Sequence, residues 1–399
     1  MEQQLIVARR KGQIVSALYE GKRLLQVMAD PETEGIRVGN IYLGRVKNIV
    51  KNINAAFVEI AEGVMCYLPL ENEMPITQNV HKDGKIHAGD ELIVQVEREP
   101  IKTKLASVTC NLNLAGKYAV LIHGKPVVGI SGKITEIAKR QELKALFSEF
   151  SSEQHGFIVR TNAAEASEEE IRTELQGLLA RYEKLKTQSI YRTCFSVLER
   201  PIPAYLCSIR DTRTTMLSQI LTDDAVLYEE IRDYLQEHQP QDCGKLTRYE
   251  SELPLLRLFS FESRLKEALG KKVWLKSGAS LIIEPTEALT VIDVNTGKAV
   301  GGRKQGEDYF LSINLEAAKE IAYQIRLRNL SGIILIDFID LEKEESNQIL
   351  LKQLQEYLQA DPVKTILVDM TPLHLVELTR KKVRKPLHEM QLEAEQEIE

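Results

Sequence analysis

Cysteine is scarce in this 399-residue chain, and the little there is forms no pattern. Cys66, Cys110, Cys194, Cys207 and Cys243 are odd in number and widely scattered, and no C-x-x-C pair occurs. A disulfide framework and a zinc site of ordinary spacing are thereby excluded, leaving reduced thiols. No apolar run reaches the roughly 18 residues of a membrane helix. The opening MEQQLIVARRKGQ lacks the apolar region of a signal peptide. The expectation is a cytoplasmic protein with no membrane partner. Also missing are a G-x-S-x-G nucleophile elbow, a P-loop, and a G-x-G-x-x-G following a strand. Serine-hydrolase, P-loop and dinucleotide chemistry therefore have no foothold. Internal repeats and low-complexity tracts are absent too.

What is present is the composition of a folded, globular chain, 43% apolar and 28% charged. Its length calls for two to four domains rather than one core. The net charge of −6 is unlike that of most nucleic-acid-binding domains, but its distribution is uneven. LTRKKVRKPLHEM (378–390) carries Arg380, Lys381, Lys382, Arg384 and Lys385 against a single acid, Glu389. QLEAEQEIE (391–399) then carries four glutamates and no base. By itself the basic run reads as the solvated end of a helix.

Residues 1–35 read as one or two hairpins turning at Gly12 and Gly21, too little for a domain, so these strands must pair with something later. From 36 to 118 the pattern becomes short alternating runs broken by Gly39, Gly44 and Gly63. Five such strands predict a small barrel of the OB type. One barrel face is expected to present Tyr42, Phe57 and Tyr67 among Arg45, Lys47 and Lys104. Rings interleaved with bases make a stacking platform for single-stranded nucleic acid; the structural alternative is that the rings fill the barrel. Residues 119–204 read as strands (KYAVLIHG, GFIVRTNAA) followed by a long helix that Ser167 and Glu170 cap. Arg160 and Thr161, just past a strand end, form a donor pair able to hold a phosphate, or else an ordinary exposed strand end. Residues 205–270 alternate strand and helix without a reactive constellation.

Residues 271–370 are the most informative. LTVIDVN, INLEAAKEIAYQIRLRNL, GIILIDFI, ESNQILLKQLQEYLQAD and VKTILVDM give a β-α-β-α-β order. That order predicts a parallel sheet with right-handed crossovers. Leu315, Ala318, Ala322 and Ile325 share one helical face. Asp293 and Asp337 interrupt two of the most apolar strands at corresponding late positions, although an unpaired buried charge is costly. Strands joined by a crossover end at the same edge, which is where open α/β sheets bind ligands. The two carboxylates therefore converge, and Asn295 shares the face of Asp293. Converging carboxylates need a cation; Mg²⁺, a hard ion held by one or two carboxylates and retained waters, suits them. A single aspartate there would read as a helix cap or an ion-pair partner of Arg303, Arg326 or Arg328. Two at matching positions point to metal-assisted chemistry. A flavodoxin-like receiver shares the spacing, but its chain would begin at this sheet.

LTVIDVNTGK, NLEAAKEIAYQIRLRNLSGIILIDFIDL and LVELTRKKVRK closely resemble the catalytic region of the ribonuclease E/G family. NIYLGRVKNIVKNINAAFVEI and FIVRT are similar to its RNA-binding and sensor segments, and IDVNTG and RNLSGI look like the ribonuclease G branch. The resemblance runs along nearly the whole chain in the family's order. It implies a multidomain α/β fold. An RNase H-like subdomain would come from 1–35 and 205–270, with an OB-fold RNA-binding domain at 36–118 inserted into it. A 5′-sensor region at 119–204 and a DNase I-like catalytic subdomain at 271–399 would complete it. It further implies that Asp293 and Asp337 hold Mg²⁺ with Asn295 assisting, and that Phe57, Tyr67 and Lys104 grip RNA. A 5′-monophosphate pocket would fall on Gly116, Val120, Arg160, Thr161 and Lys364.

The chain departs from the family in places. Tyr67 and Lys364 stand where the E branch has Phe and Arg, which keeps the ring and the charge. Asp369, ending the third strand, matches no motif and reads as structural. The family's zinc-linking cysteine pair, expected just after RKKVRKPLHEM, is absent, so no zinc is expected and any homodimer forms without a zinc link. The functional expectation is a Mg²⁺-dependent endoribonuclease of RNA processing and decay, acting on single-stranded RNA and favouring 5′-monophosphorylated substrates. The alternative is a non-catalytic RNA-binding protein that retains the fold, though it would have no reason to keep the acidic pair. A small-molecule phosphoesterase would not need the barrel.

Overall fold

The computed structural model describes residues 2–31, 35–77, 81, 85–100, 104–297 and 306–390. Arg303 and the acidic segment 391–399 lie outside them. Two compact units form: Met1–Pro31 with Thr214–Glu399, and Glu32–Arg213. Among the described residues no helix is long and apolar enough to cross a membrane.

In the first unit, strands Gln3–Arg10, Gln13–Glu20 and Arg23–Pro31 form an antiparallel meander. The first of them pairs in parallel with Leu217–Thr222, which is flanked by Leu246–Arg248. The N-terminal hairpins thus find the later partner their shortness required. Their core contains Ile6, Val15, Tyr19, Val27, Phe261 and Leu265.

The unit's second sheet runs Lys272–Trp274, Ser280–Pro285, Leu289–Asn295, Gly332–Asp337, Leu375–Arg380, Thr365–Met370. Helices Glu307–Leu327 and Glu344–Gln359 fill the two crossovers. The first carries Glu307 and Asp308 in its first turn, where they complement the helix dipole. It closes at Asn329, held left-handed at φ +49°. Ile313, Ala317, Ala318, Ile321 and Ile325 of this helix pack on Ile283, Ile292, Ile334 and Ile336. Only one sheet face is covered this way, and period-two alternation sends Val291, Asp293, Asn295, Leu335 and Asp337 to the other.

The sheet is mixed, which corrects the all-parallel expectation. Leu289–Asn295 and Gly332–Asp337 are parallel neighbours. Leu375–Arg380, however, inserts antiparallel between Gly332–Asp337 and Thr365–Met370. A tight turn over 371–374, with His374 at φ +61°, returns the chain at once instead of through a helix. The basic run is corrected with it. Its first residues are strand, not helix end, and Arg380 is buried, bonding Asp361, Asn329 and the Leu330 carbonyl.

In the second unit, Ile41–Val50, Ala55–Ala61, Val64–Pro69, Ala106–Thr109 and Glu91–Arg98 form a sheet that closes on itself, the last strand pairing with the first. This is the five-stranded barrel of the expected OB type, filled by Val46, Val58, Ile60, Leu68, Val94 and Val108. Beside it lies a smaller sheet of Val128–Ile130, His155–Val159, Ala119–His123 and Asn113–Ala115. Two helices cover that sheet, Ile137–Ser148, which the sequence reading passed over, and Glu168–Tyr191. The long helix starts at Ser167 with a complete capping box, worth about 1 kcal/mol. The boundary at 213/214 lies past the 204/205 expected because Arg210 and Asp211 bond into this unit, to the Ala115 carbonyl and to Arg160.

Candidate active site

Asp293 and Asp337 are register partners on adjacent parallel strands, so their backbones are about 4.8 Å apart. Both face the uncovered side, Asp293 half-buried and Asp337 exposed. Asn295 donates from Nδ2 to Asp293 Oδ2 at 2.6 Å, fixing that carboxylate while its own amide oxygen stays available. The Asp337 carboxyl is pushed up from its ordinary value by loss of solvent first, then by the charges of Asp293 and Asp340. Unrelieved repulsion of this kind is what a bound cation removes. Among the described residues no three acids, histidines or cysteines gather at metal-binding spacing. Two carboxylates and an amide oxygen at an open edge fit a hard divalent ion that keeps several waters.

Of the ion-pair alternative's described residues, neither Arg326 nor Arg328 pairs with Asp293 or Asp337, and Arg328 bonds Gln324. Asp340, which by strand alternation would face away from Asp337 if the strand continued that far, lies instead in the loop after Gly332–Asp337, nearly fully exposed and 4.0 Å from His374 Nδ1. His374 escaped sequence reasoning. The turn that brings His374 there, with that residue at φ +61°, lacks the glycine that most often marks a left-handed position.

On the barrel, Phe57 and Tyr67 are cross-strand partners with ring centroids 6.3 Å apart, edge to face, both half-buried. Lys104 is exposed just before Ala106–Thr109, the strand whose Ser107 pairs with Tyr67. Tyr42 is not on this face. It is buried in the barrel core with its hydroxyl accepting from Asn40, because its strand turns that position inward. Arg45 and Lys47 are ion-paired, to Glu91 and Glu59.

Of the residues expected to form a phosphate pocket, Gly116, Val120, Arg160 and Thr161 belong to the second unit and Lys364 to the first. Arg160 reaches the Gly116 carbonyl with Nη1 and Asp211 with Nη2, the latter at 2.8 Å. Thr161 Oγ1 lies 3.0 Å from Ser131 Oγ, and Val120 is half-buried on the adjoining strand. Lys364 belongs to the other unit, exposed before Thr365–Met370. Glu174 of the long helix accepts the backbone N–H groups of Lys117, Tyr118 and Ala119, shaping the loop that Arg160 touches. Burial pushes its carboxyl up, against the pull of those three donors. A side chain at Gly116 would put its Cβ 2.4 Å from Glu174 Oε1, so the Glu174 side chain would have to shift. Neither Glu174 nor Asp211 carried a sequence signal, Glu174 being more than fifty residues from the loop it holds and Asp211 more than fifty from Arg160.

Residues 36–108 match the S1 RNA binding domain, and residues 113–383 match the ribonuclease E/G family. The chain is 34% identical over 396 residues to ribonuclease G of Salmonella typhimurium, covering 96% of this chain and 81% of that protein. With ribonuclease G of Haemophilus influenzae it is 36% identical over 384 residues, covering 93% and 78%. With ribonuclease E of Haemophilus influenzae it is 30% identical over 401 residues, covering 98% of this chain and 42% of that protein. On the match of 113–383 and the likeness to its members along almost the entire length, the chain belongs to the ribonuclease E/G family.

Proposed function

We propose that this protein is a Mg²⁺-dependent endoribonuclease that cuts single-stranded RNA and leaves a 5′-phosphate on the downstream product. The observation that carries the reading is the matched register of Asp293 and Asp337 with Asn295 bonded to the first. Family membership implies a divalent metal. Two carboxylates open to water favour Mg²⁺ among the candidates. Bound there, it would supply charge stabilisation at the phosphodiester and activation of water. Asp293 and Asp337 provide its oxygen ligands, and Asn295 holds Asp293 in one orientation.

Phe57, Tyr67 and Lys104 would grip the strand, two rings for bases and one cation for phosphate. Arg160, Thr161, Gly116 and Val120 would accept a 5′-monophosphate. The enzyme would work in the cytoplasm, where its five free cysteines stay reduced. The reading includes no zinc and only a homodimer without a zinc link, since no C-x-x-C pair occurs among the five cysteines.

The test is incubation of the purified protein with labelled single-stranded RNA carrying either a 5′-monophosphate or a 5′-hydroxyl, with and without Mg²⁺. Internal cleavage only with Mg²⁺, faster on the monophosphate, is the expected result. Binding without cleavage at any divalent-ion concentration would leave the non-catalytic alternative.

A further inference from the structure

The chain has one tryptophan, Trp274. It is 61% exposed among the described residues, on the edge strand Lys272–Trp274 of the catalytic sheet. An indole left in water is unusual, and its surroundings here are specific. Lys272 Nζ stands 3.9 Å from the ring centroid, and no carboxylate bonds it among the described residues. Cross-strand register places both residues relative to the acidic pair. Lys272 pairs with Ile282, Ile282 with Asp293, and Asp293 with Asp337. Trp274 pairs with Ser280, and Ser280 with Asn295. Paired residues share a face, so lysine and indole lie on the open face with the site, each two strand spacings, or about 10 Å, from Asp293 and Asn295 respectively.

We infer that Trp274 and Lys272 form a second nucleotide-binding subsite, the indole stacking the base of a nucleotide flanking the scissile phosphate and the ammonium contacting its phosphate. The subsite rests on the endoribonuclease reading and adds a substrate contact to it. The charge pattern of the face favours this path for the strand. The next cross-strand row towards the amino end of Leu289–Asn295 is Glu284, Val291, Leu335 and Glu377, with a carboxylate at each side and Lys271 already paired to Glu284. Among the described residues of these rows, a polyanion leaving the aspartates meets an unpaired cation and an open aromatic face toward Trp274. Base stacking on an aromatic side chain tolerates any sequence, since every base has a π-face.

Because this is the only tryptophan, its fluorescence reports the subsite directly. In the Asp337→Asn protein, which cannot turn over, a short single-stranded oligoribonucleotide with a 5′-hydroxyl should quench the emission saturably, and Lys272→Ala should weaken the response. In the otherwise native enzyme, Trp274→Ala should raise KM for that RNA about 5- to 150-fold with kcat little changed, and Trp274→Phe should restore most of it. Unquenched fluorescence together with an unchanged KM in Trp274→Ala, in a protein that still cleaves RNA, overturns the subsite and leaves the endoribonuclease reading intact. Failure of the native protein to cleave any RNA overturns that reading instead. A halved molecular mass for Trp274→Ala with RNA kinetics unaltered shows that the indole serves self-association, and also overturns the subsite.

Discussion

Asp293 and Asp337 sit opposite one another in register on parallel strands that a helix separates by more than thirty residues of sequence. Nothing local holds two like charges there; the sheet imposes the encounter. Asp293→Asn and Asp337→Asn should each reduce cleavage to background while leaving RNA affinity within about twofold, since they remove metal ligands and not RNA contacts. Single-turnover cleavage alongside filter binding checks this. Wild-type turnover by either variant at limiting Mg²⁺ removes that residue from the site.

Phe57 and Tyr67, edge to face across two barrel strands, are half-buried, so their exposed faces can take bases without emptying the core. Phe57→Ala and Tyr67→Ala should each weaken single-stranded RNA binding by about 1–3 kcal/mol. Melting temperature measured alongside separates this from loss of packing. A large fall in melting temperature with unchanged affinity per folded molecule would make them core residues, as Tyr42 is.

Arg160 is held by the Gly116 carbonyl and Asp211, with its remaining donors directed by that fork. Arg160→Ala should raise KM for 5′-monophosphorylated RNA about tenfold or more, a charge-assisted hydrogen bond being worth about 1.5–3 kcal/mol. Cleavage of 5′-hydroxyl RNA should stay the same. Equal loss on both substrates would show that Arg160 serves the fold and not a 5′ end.

Much of this was readable in the sequence for a physical reason. Alternation in LTVIDVN and GIILID fixes which face Asp293 and Asp337 take, and Ser167 with Glu170 states a helix start outright. Tyr42 was misplaced because the sequence does not say which face of a closing barrel turns inward. The parallel sheet was over-read because β-α-β-α-β order says nothing about Leu375–Arg380 slipping between two of its strands. Asp211 and Glu174 were invisible, since partners distant in sequence leave no spacing.

His123 provides a pH signature. Its Nε2 contacts the Met74 carbonyl and its Nδ1 the Tyr182 hydroxyl. Burial lowers its pKa below the usual 6.5, and Lys186 and His155 add to the effect. A buried neutral histidine takes up its proton more readily once unfolded. Stability is therefore complete above about pH 6.5 and falls as pH drops toward the folded value. Hydrogen-exchange protection of Ala119–His123 should decline over that range, and His123→Gln, which can replace both bonds, should flatten the decline. Protection that is unchanged below pH 6.5 in the native protein would refute the assignment.

Arg380 tests whether the basic run serves RNA or the fold. Its guanidinium and the Asp361 carboxylate are each 2% exposed, with Nε to Oδ2 at 2.7 Å, and Nη1 also bonds Asn329 and the Leu330 carbonyl. A buried pair of this kind is costly to break from one side, because the surviving charge is stranded without water; the loss is about 3–5 kcal/mol. Arg380→Leu should therefore lower stability by that amount, and Asp361→Leu similarly. The double variant should lose much less than the sum, since neither charge is then left unpaired. If Arg380 contacted phosphate instead, Arg380→Leu would melt normally and bind RNA with a shallower salt dependence, by about one counterion. Denaturant unfolding of the four proteins, with RNA affinity measured at two salt concentrations, separates the two. Near-native stability of Arg380→Leu with a reduced salt slope would instead place the run on an RNA-binding surface.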